Sequence, residues 1–103
     1  MRTPIHPGEI LAEDMRELAL SANQLAAQLK VPANRITQIL KGQRSVTADT
    51  ARRLARFFKT TPQYWLNLQL IYELDRDALE QDKTLEINAI QPFDVQDAHP
   101  SSL

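Results

Sequence analysis

The 103-residue sequence contains no cysteine, so neither disulfides nor thiolate chemistry is open to it. Its two glycines are too few for a glycine-rich phosphate loop or a turn-dense β-sandwich. No apolar run reaches membrane-spanning length, and the first residues lack the hydrophobic core of a secretory signal. A cytosolic location is the resulting expectation. The length suffices for one domain with a modest core. Alanine, leucine, arginine and glutamine are abundant, which favours helix.

A large net charge is also missing: the formal value is −1. That balance hides a strong asymmetry along the chain. Residues 21–60 carry Lys30, Arg35, Lys41, Arg44, Arg52, Arg53, Arg56 and Lys59 against Asp49 alone, a net +7. Residues 1–20 sum to −2 and residues 61–103 to −6. A basic block of this kind is the footprint expected where phosphates are neutralised. The acidic C-terminal third suits a solvated face or a basic partner.

Within the basic block, SANQLAAQLKVPANRITQILKG (21–42) reads as two short helices joined by a tight turn. Ser21 is a good N-cap, because its hydroxyl can accept from an orphan backbone N–H. Leu25 and Leu29 share one helix face, and Ala26 is small where a second helix must cross closely. Val31-Pro32 breaks the first helix and suits the start of the next. Ile36, Ile39 and Leu40 form the buried stripe of the second helix, and Gly42 ends it in the left-handed conformation glycine tolerates. The outward residues Asn34, Arg35, Thr37, Gln38 and Lys41 carry the donors and acceptors that read base edges and phosphates in a major groove. Any helical hairpin buries leucines at such spacings; the ordered combination is what points to a helix-turn-helix.

The two helices of that hairpin are expected at about 22–29 and 33–41, and further helices at about 7–19, 48–58 and 62–80, the last with a candidate break near 70. Pro7 suits a first helical turn with Glu9 near its positive end, and Thr61-Pro62 is an N-cap followed by proline at the first helical position. In residues 83–90, Leu85, Ile87 and Ala89 alternate with Thr84, Glu86 and Asn88, a period of two that predicts a short strand. A lone strand exposes unpaired backbone groups, so pairing with the same strand of a second copy is expected. Residues 94–103 are expected to fray.

Residues 20–66 resemble the lambda-repressor-like, or Xre-type, helix-turn-helix domain. HPGEIL (6–11), SVTADTARRLARFF (45–58) and TPQYWLNLQ (61–69) extend the resemblance, over about residues 5–93, to HigA-type antitoxins of type II toxin–antitoxin modules. The resemblance implies an all-α, five-helix domain (residues 1–82) followed by a dimerising strand and tail (83–103). It implies a homodimer that represses its own operon at a palindromic double-stranded operator and neutralises a HigB toxin, a RelE-like mRNA-cleaving ribonuclease. By position, Ala33, Asn34, Arg35, Thr37 and Gln38 would face bases. Ser21, Asn23, Lys41, Gln43, Arg44 and Ser45 would contact phosphates. Toxin contacts are expected at Ile5, Ile10, Glu13, Asp14 and Tyr64, and the dimer interface at Leu68, Ile71, Tyr72, Leu85, Ile87 and Ile90. Two positions depart from the family pattern. Lys30 stands where glycine is usual at the turn, so it must adopt a left-handed backbone or the turn must relax. Pro32 replaces the usual Ser or Thr cap of the recognition helix. With no long wrapping tail, toxin binding is expected on a folded surface.

Other chemistries fit less well. His6 and His99 lack the companions of a metal site and read as surface or capping residues. Asp75, Asp77, Glu80 and Asp82 have helical spacing and no glycine turn, so they read as a solvated face. Trp65, with Tyr64 and Tyr72, offers stacking surface for bases, but its spacing with Leu68 is that of a core residue. No nucleophile–base pair stands out, so neither an enzyme nor a cofactor is expected. A ribonuclease toxin would be basic throughout. A stand-alone Xre-type repressor is the alternative, separated from the antitoxin by whether the neighbouring gene encodes a small basic RelE-like protein.

Overall fold

Side-chain caps set three of the six helix starts. The computed structural model describes residues 2–93, which form six helices and no strand. They are α1 (Pro7–Glu17), α2 (Ala22–Leu29), α3 (Ala33–Leu40), α4 (Ala48–Phe58), α5 (Pro62–Asp77) and α6 (Gln81–Asn88). At the start of α2 the Ser21 hydroxyl accepts from the Gln24 N–H at 3.1 Å, and the Gln24 side chain accepts from the Ser21 N–H at 2.9 Å. This reciprocal box satisfies two orphan donors. Thr61 caps α5 by accepting from the Tyr64 N–H at 3.2 Å, with Pro62 in the first turn. Pro32 gives α3 no side-chain cap, as its chemistry requires.

α3 stops at Gly42, whose φ is +73°. Its N–H donates to the Ile39 carbonyl at 3.0 Å and the Gln43 N–H to the Gln38 carbonyl at 2.8 Å, the paired bonds of a left-handed helix stop. α2 ends the same way on Lys30, with φ 60° and ψ 46°, so the turn keeps its geometry without a glycine. A Cβ in that region is strained. Arg53 of α4 supports it, donating through Nη1 to the Leu29 carbonyl at 2.9 Å and the Lys30 carbonyl at 3.4 Å.

α2 packs on α3 and α4, α4 packs on α5, and α1 closes the arrangement against α3 and α5. The shared core holds Leu11, Leu25, Ile36, Ile39, Leu54 and Trp65, all fully buried, with Met15, Ala26, Leu29, Val46, Ala51 and Ala55 around them. Burying each large aliphatic side chain contributes about 1.5–3 kcal/mol. Trp65 satisfies its indole N–H on the Thr60 hydroxyl at 2.9 Å, which settles it as core. The α1–α3 crossing depends on Gly8. A Cβ built there would stand 2.8 Å from the Ile39 carbonyl carbon and closer still to its oxygen.

Three expected boundaries shift. α1 ends at Glu17 rather than 19, because Ala19 turns left-handed at φ 53°. α3 ends one residue early, leaving Lys41 as its C-cap. α5 runs unbroken past residue 70 and stops at Asp77 rather than 80.

The larger correction concerns residues 83–90: the expected strand is α6, and the strand pairing across a dimer falls with it. Lys83 bonds Asp77 at 2.7 Å and pairs with Glu80 at 3.3 Å, and the Thr84 hydroxyl donates to the Ala78 carbonyl at 3.3 Å. Backbone bonds close locally, from Thr84 N–H to the Glu80 carbonyl through Ala89 N–H to the Leu85 carbonyl, so no partner strand is needed. Alternation signals a strand only when one face is buried, and α6 buries none of its residues. Residues 94–103, including His99 and the expected frayed tail, lie outside the described residues.

Candidate nucleic-acid interface

The outer side of α3 and the loop behind it gather the sequence-predicted contact residues. Asn34, Lys41, Gln43, Arg44 and Ser45 are exposed, and Ala33, Arg35, Thr37 and Gln38 are partly so. Ser21 and Asn23 are exposed at the start of α2. Ile36 and Ile39 bury the opposite side of α3 against the core. Asn34 and Lys41 have no side-chain hydrogen-bond partner among the described residues, whereas three neighbours are tethered. Gln38 accepts from Arg44 at 3.1 Å, and the Thr37 hydroxyl donates to the Asn34 carbonyl at 3.2 Å. Arg35 Nη1 donates to Asp49 Oδ2 at 2.6 Å.

Asp49 also accepts from Arg53 Nε at 3.0 Å. These bonds, from Arg53 first and then Arg35, hold its carboxyl below the usual carboxylate range. Asp49 sits on the rim of a cleft of about 720 Å³ between the end of α2 and α4, lined by Lys30, Arg52, Arg53 and Arg56. Basic side chains thus stand on both α3 and α4, linked through the Arg35–Asp49–Arg53 bonds.

The loop after α3 is anchored from behind by residues the sequence reading missed. Val46 is buried, and its N–H donates to Gln69 Oε1 at 2.8 Å. Gln69, itself buried, donates onward to Glu73 at 2.9 Å. His6 is a capping residue, as expected, but a buried one rather than a surface one. Its Nδ1 accepts from the Gly8 N–H at 2.9 Å, and its ring meets Tyr72 edge-on at 4.8 Å. Burial pushes its pKa below the ordinary histidine value, outweighing the Arg44 backbone and Glu9. The local signals were a histidine before a helix-opening proline and an amide inside an apolar helix; their partners lie too far along the chain to be read locally.

The expected toxin-contact residues divide. Ile5 and Ile10 meet Leu68 and Ile71 in an apolar groove of about 390 Å³, edged by Arg2, Thr3 and Asp75. The Arg2–Asp75 ion pair at 3.1 Å clasps it. Glu13 is exposed on α1 and Asp14 half-buried; burial first, then Glu17 and Glu13, raises the Asp14 pKa. Tyr64 is not on the groove; it packs edge-on against Trp65 at 5.2 Å. Of the expected dimer residues, Leu68 lines the groove and Tyr72 is half-buried against His6. Ile71, Leu85, Ile87 and Ile90 are exposed, Leu85 by 68%. No helix among the described residues is long and apolar enough to cross a membrane.

Two helices meeting at a left-handed turn, the second with an outer side of amides and cations, define a helix-turn-helix domain. The family described as Helix-turn-helix matches residues 11–65, and the chain belongs to it. Its relatives then narrow the branch. The solved addiction module antidote protein of a HigA family from Coxiella burnetii is 53% identical and superposes with a TM-score of 0.83, covering 89% of this chain and 100% of that one. The Pseudomonas aeruginosa antitoxin HigA, solved with the higBA promoter, is 41% identical with a TM-score of 0.80, covering 88% and 99%. Virulence-associated protein I of Dichelobacter nodosus is 49% identical over 90 residues, 86% of this chain and 81% of that protein. Within the helix-turn-helix proteins, this chain is a member of the HigA antitoxin family.

Proposed function

We propose that the protein is an autoregulatory antitoxin, which binds the operator of its own operon through α3 and neutralises a HigB-type, RelE-like mRNA-cleaving toxin. The observation that carries the DNA reading is the outer side of α3, where Asn34, Arg35, Thr37, Gln38 and Lys41 project from a helix fixed by Ile36 and Ile39. Amide side chains suit adenine edges and arginine suits guanine, while Lys41, Arg44, Gln43, Ser45, Ser21 and Asn23 suit phosphates. The Pseudomonas aeruginosa relative solved with promoter DNA supports this direction.

One such helix makes a small contact, so a two-fold dimer reading a palindrome follows, with recognition helices about 34 Å apart. The apolar side chains left exposed beyond the core support a helical interface: Leu70, Ile71, Leu74, Leu85, Ile87 and Ile90. For the toxin, Ile5 and Ile10 offer an apolar anchor, and Glu13 and Asp14 an acidic approach for a basic ribonuclease. Opposite charge would speed and orient association more than strengthen it.

Purified protein tests both halves. It should shift DNA from upstream of its own gene in preference to a random duplex. Co-expressed with the product of the neighbouring gene, it should co-purify with that product and restore growth. Loss of the second result alone leaves a stand-alone repressor; loss of operator preference removes the DNA reading.

A further inference from the structure

The basic block holds a single acidic residue, Asp49, and it is bonded to an arginine of the outer α3 side. A carboxylate placed where DNA phosphates are proposed to lie repels them, so its presence needs a reason. Its bonds supply one. Asp49 Oδ2 takes Arg35 Nη1 at 2.6 Å and Arg53 Nε at 3.0 Å. Arg53 is itself fixed, through Nη1, on the Leu29 carbonyl at 2.9 Å. A chain of bonds thus runs from the turn, through α4, to a side chain on α3. Only Nη1 of Arg35 is engaged among the described residues, which leaves Nε and Nη2 without a partner. The Arg35 side chain is 24% exposed, held down rather than waving in solvent.

We infer that Asp49 is a positioning residue for sequence readout: it orients Arg35 so that its free nitrogens meet a base edge while Nη1 stays on the carboxylate. The inference rests on the proposed reading of DNA by α3. An unbuttressed arginine must lose its rotamer freedom on binding a base, and pre-ordering removes that cost. A free arginine also reaches any phosphate equally well. A paired one does not, so its ordered nitrogens add to binding only where a matching base edge stands. Pairing in both complexes therefore raises the operator's advantage over random DNA. A competitor that Arg35 had to leave on binding would lower it.

The test measures affinities of Asp49→Asn, Arg35→Ala and the double variant for an operator duplex and a random duplex by fluorescence anisotropy at one salt concentration, with melting curves to confirm folding. Asp49→Asn should bind random DNA more tightly and lose about fivefold in operator preference per half-site, the scale of one immobilised side chain. In the Arg35→Ala background the same change should leave the preference unaltered. If Asp49→Asn weakens both duplexes alike, or lowers preference equally with and without Arg35, Asp49 acts on the fold and the inference fails. If Arg35→Ala keeps full preference, Arg35 is not a reader and the inference falls, while α3 readout by its other residues still stands. If the parent protein prefers no sequence, the α3 reading itself falls.

Discussion

Replacing Gly8 with alanine probes the contact that seats α3 against α1. The new Cβ would lie 2.8 Å from the Ile39 carbonyl carbon, with the carbonyl oxygen nearer still. Non-bonded carbons rest at about 3.5–4.0 Å, so the helices must separate by roughly an ångström. Both groups are backbone, and neither can rotate away. Overpacking of a rigid contact costs about 1–3 kcal/mol, here at the upper end. Alanine returns up to about 1 kcal/mol of helix propensity, leaving a net loss of about 2 kcal/mol. At about 4–8 °C per kcal/mol for a domain of this size, the melting temperature should fall by about 8–16 °C. Operator affinity measured well below the transition should fall too, because Ile39 belongs to α3. Gly42→Ala is the control. Its Cβ would meet nothing closer than His6 at 3.8 Å, but φ is +73°, so only backbone strain of about 1–2 kcal/mol applies. Calorimetry of both variants decides. A Gly8→Ala protein melting within about 2 °C of the parent, with unchanged affinity, would refute the tight crossing.

Two other changes probe the caps. Ser21→Ala removes the acceptor for the Gln24 N–H and should cost about 1 kcal/mol, read as a lower melting temperature and faster hydrogen exchange at the Gln24 amide; unchanged exchange would show that the bond does not protect that amide. His6 has a pKa lowered by burial, so the fold favours its neutral form, whose Nδ1 accepts from Gly8. Its contribution is complete above the unfolded value of about 6.5 and is lost as pH falls through the window down to the lowered folded value. The parent should therefore lose melting temperature more steeply than His6→Asn as pH falls below about 6.5; parallel curves would show that His6 does not titrate with folding.

Legibility followed the range of the signal. Ser21, Thr61-Pro62 and Gly42 act on backbone groups within three or four residues, so they place helix ends without any tertiary knowledge. The stripe of Ile36 and Ile39 shows which side of α3 is inward, and hence which faces out. Residues 83–90 misled because their alternation has no buried face to enforce it. The bonds from Val46 to Gln69, from Arg35 to Asp49 and from Arg53 to the Leu29 carbonyl join residues 14–24 positions apart. They depend on how helices cross, which no local pattern encodes. His6 is the same case at longer range, since its buried environment is built by Tyr72.

Readout of sequence by the outer side of α3 is probed by Gln38→Ala. Among the described residues the Gln38 side chain has one hydrogen bond, from Arg44, and it is not part of the buried core, so its loss should leave folding intact. A bidentate amide–adenine contact is worth about 1–3 kcal/mol of discrimination. Competition binding of operator against random duplex should show preference reduced by about fivefold or more per half-site, with random-DNA affinity unchanged. If Gln38→Ala, Asn34→Ala and Arg35→Ala each keep the parent's full preference, the outer side of α3 does not read sequence.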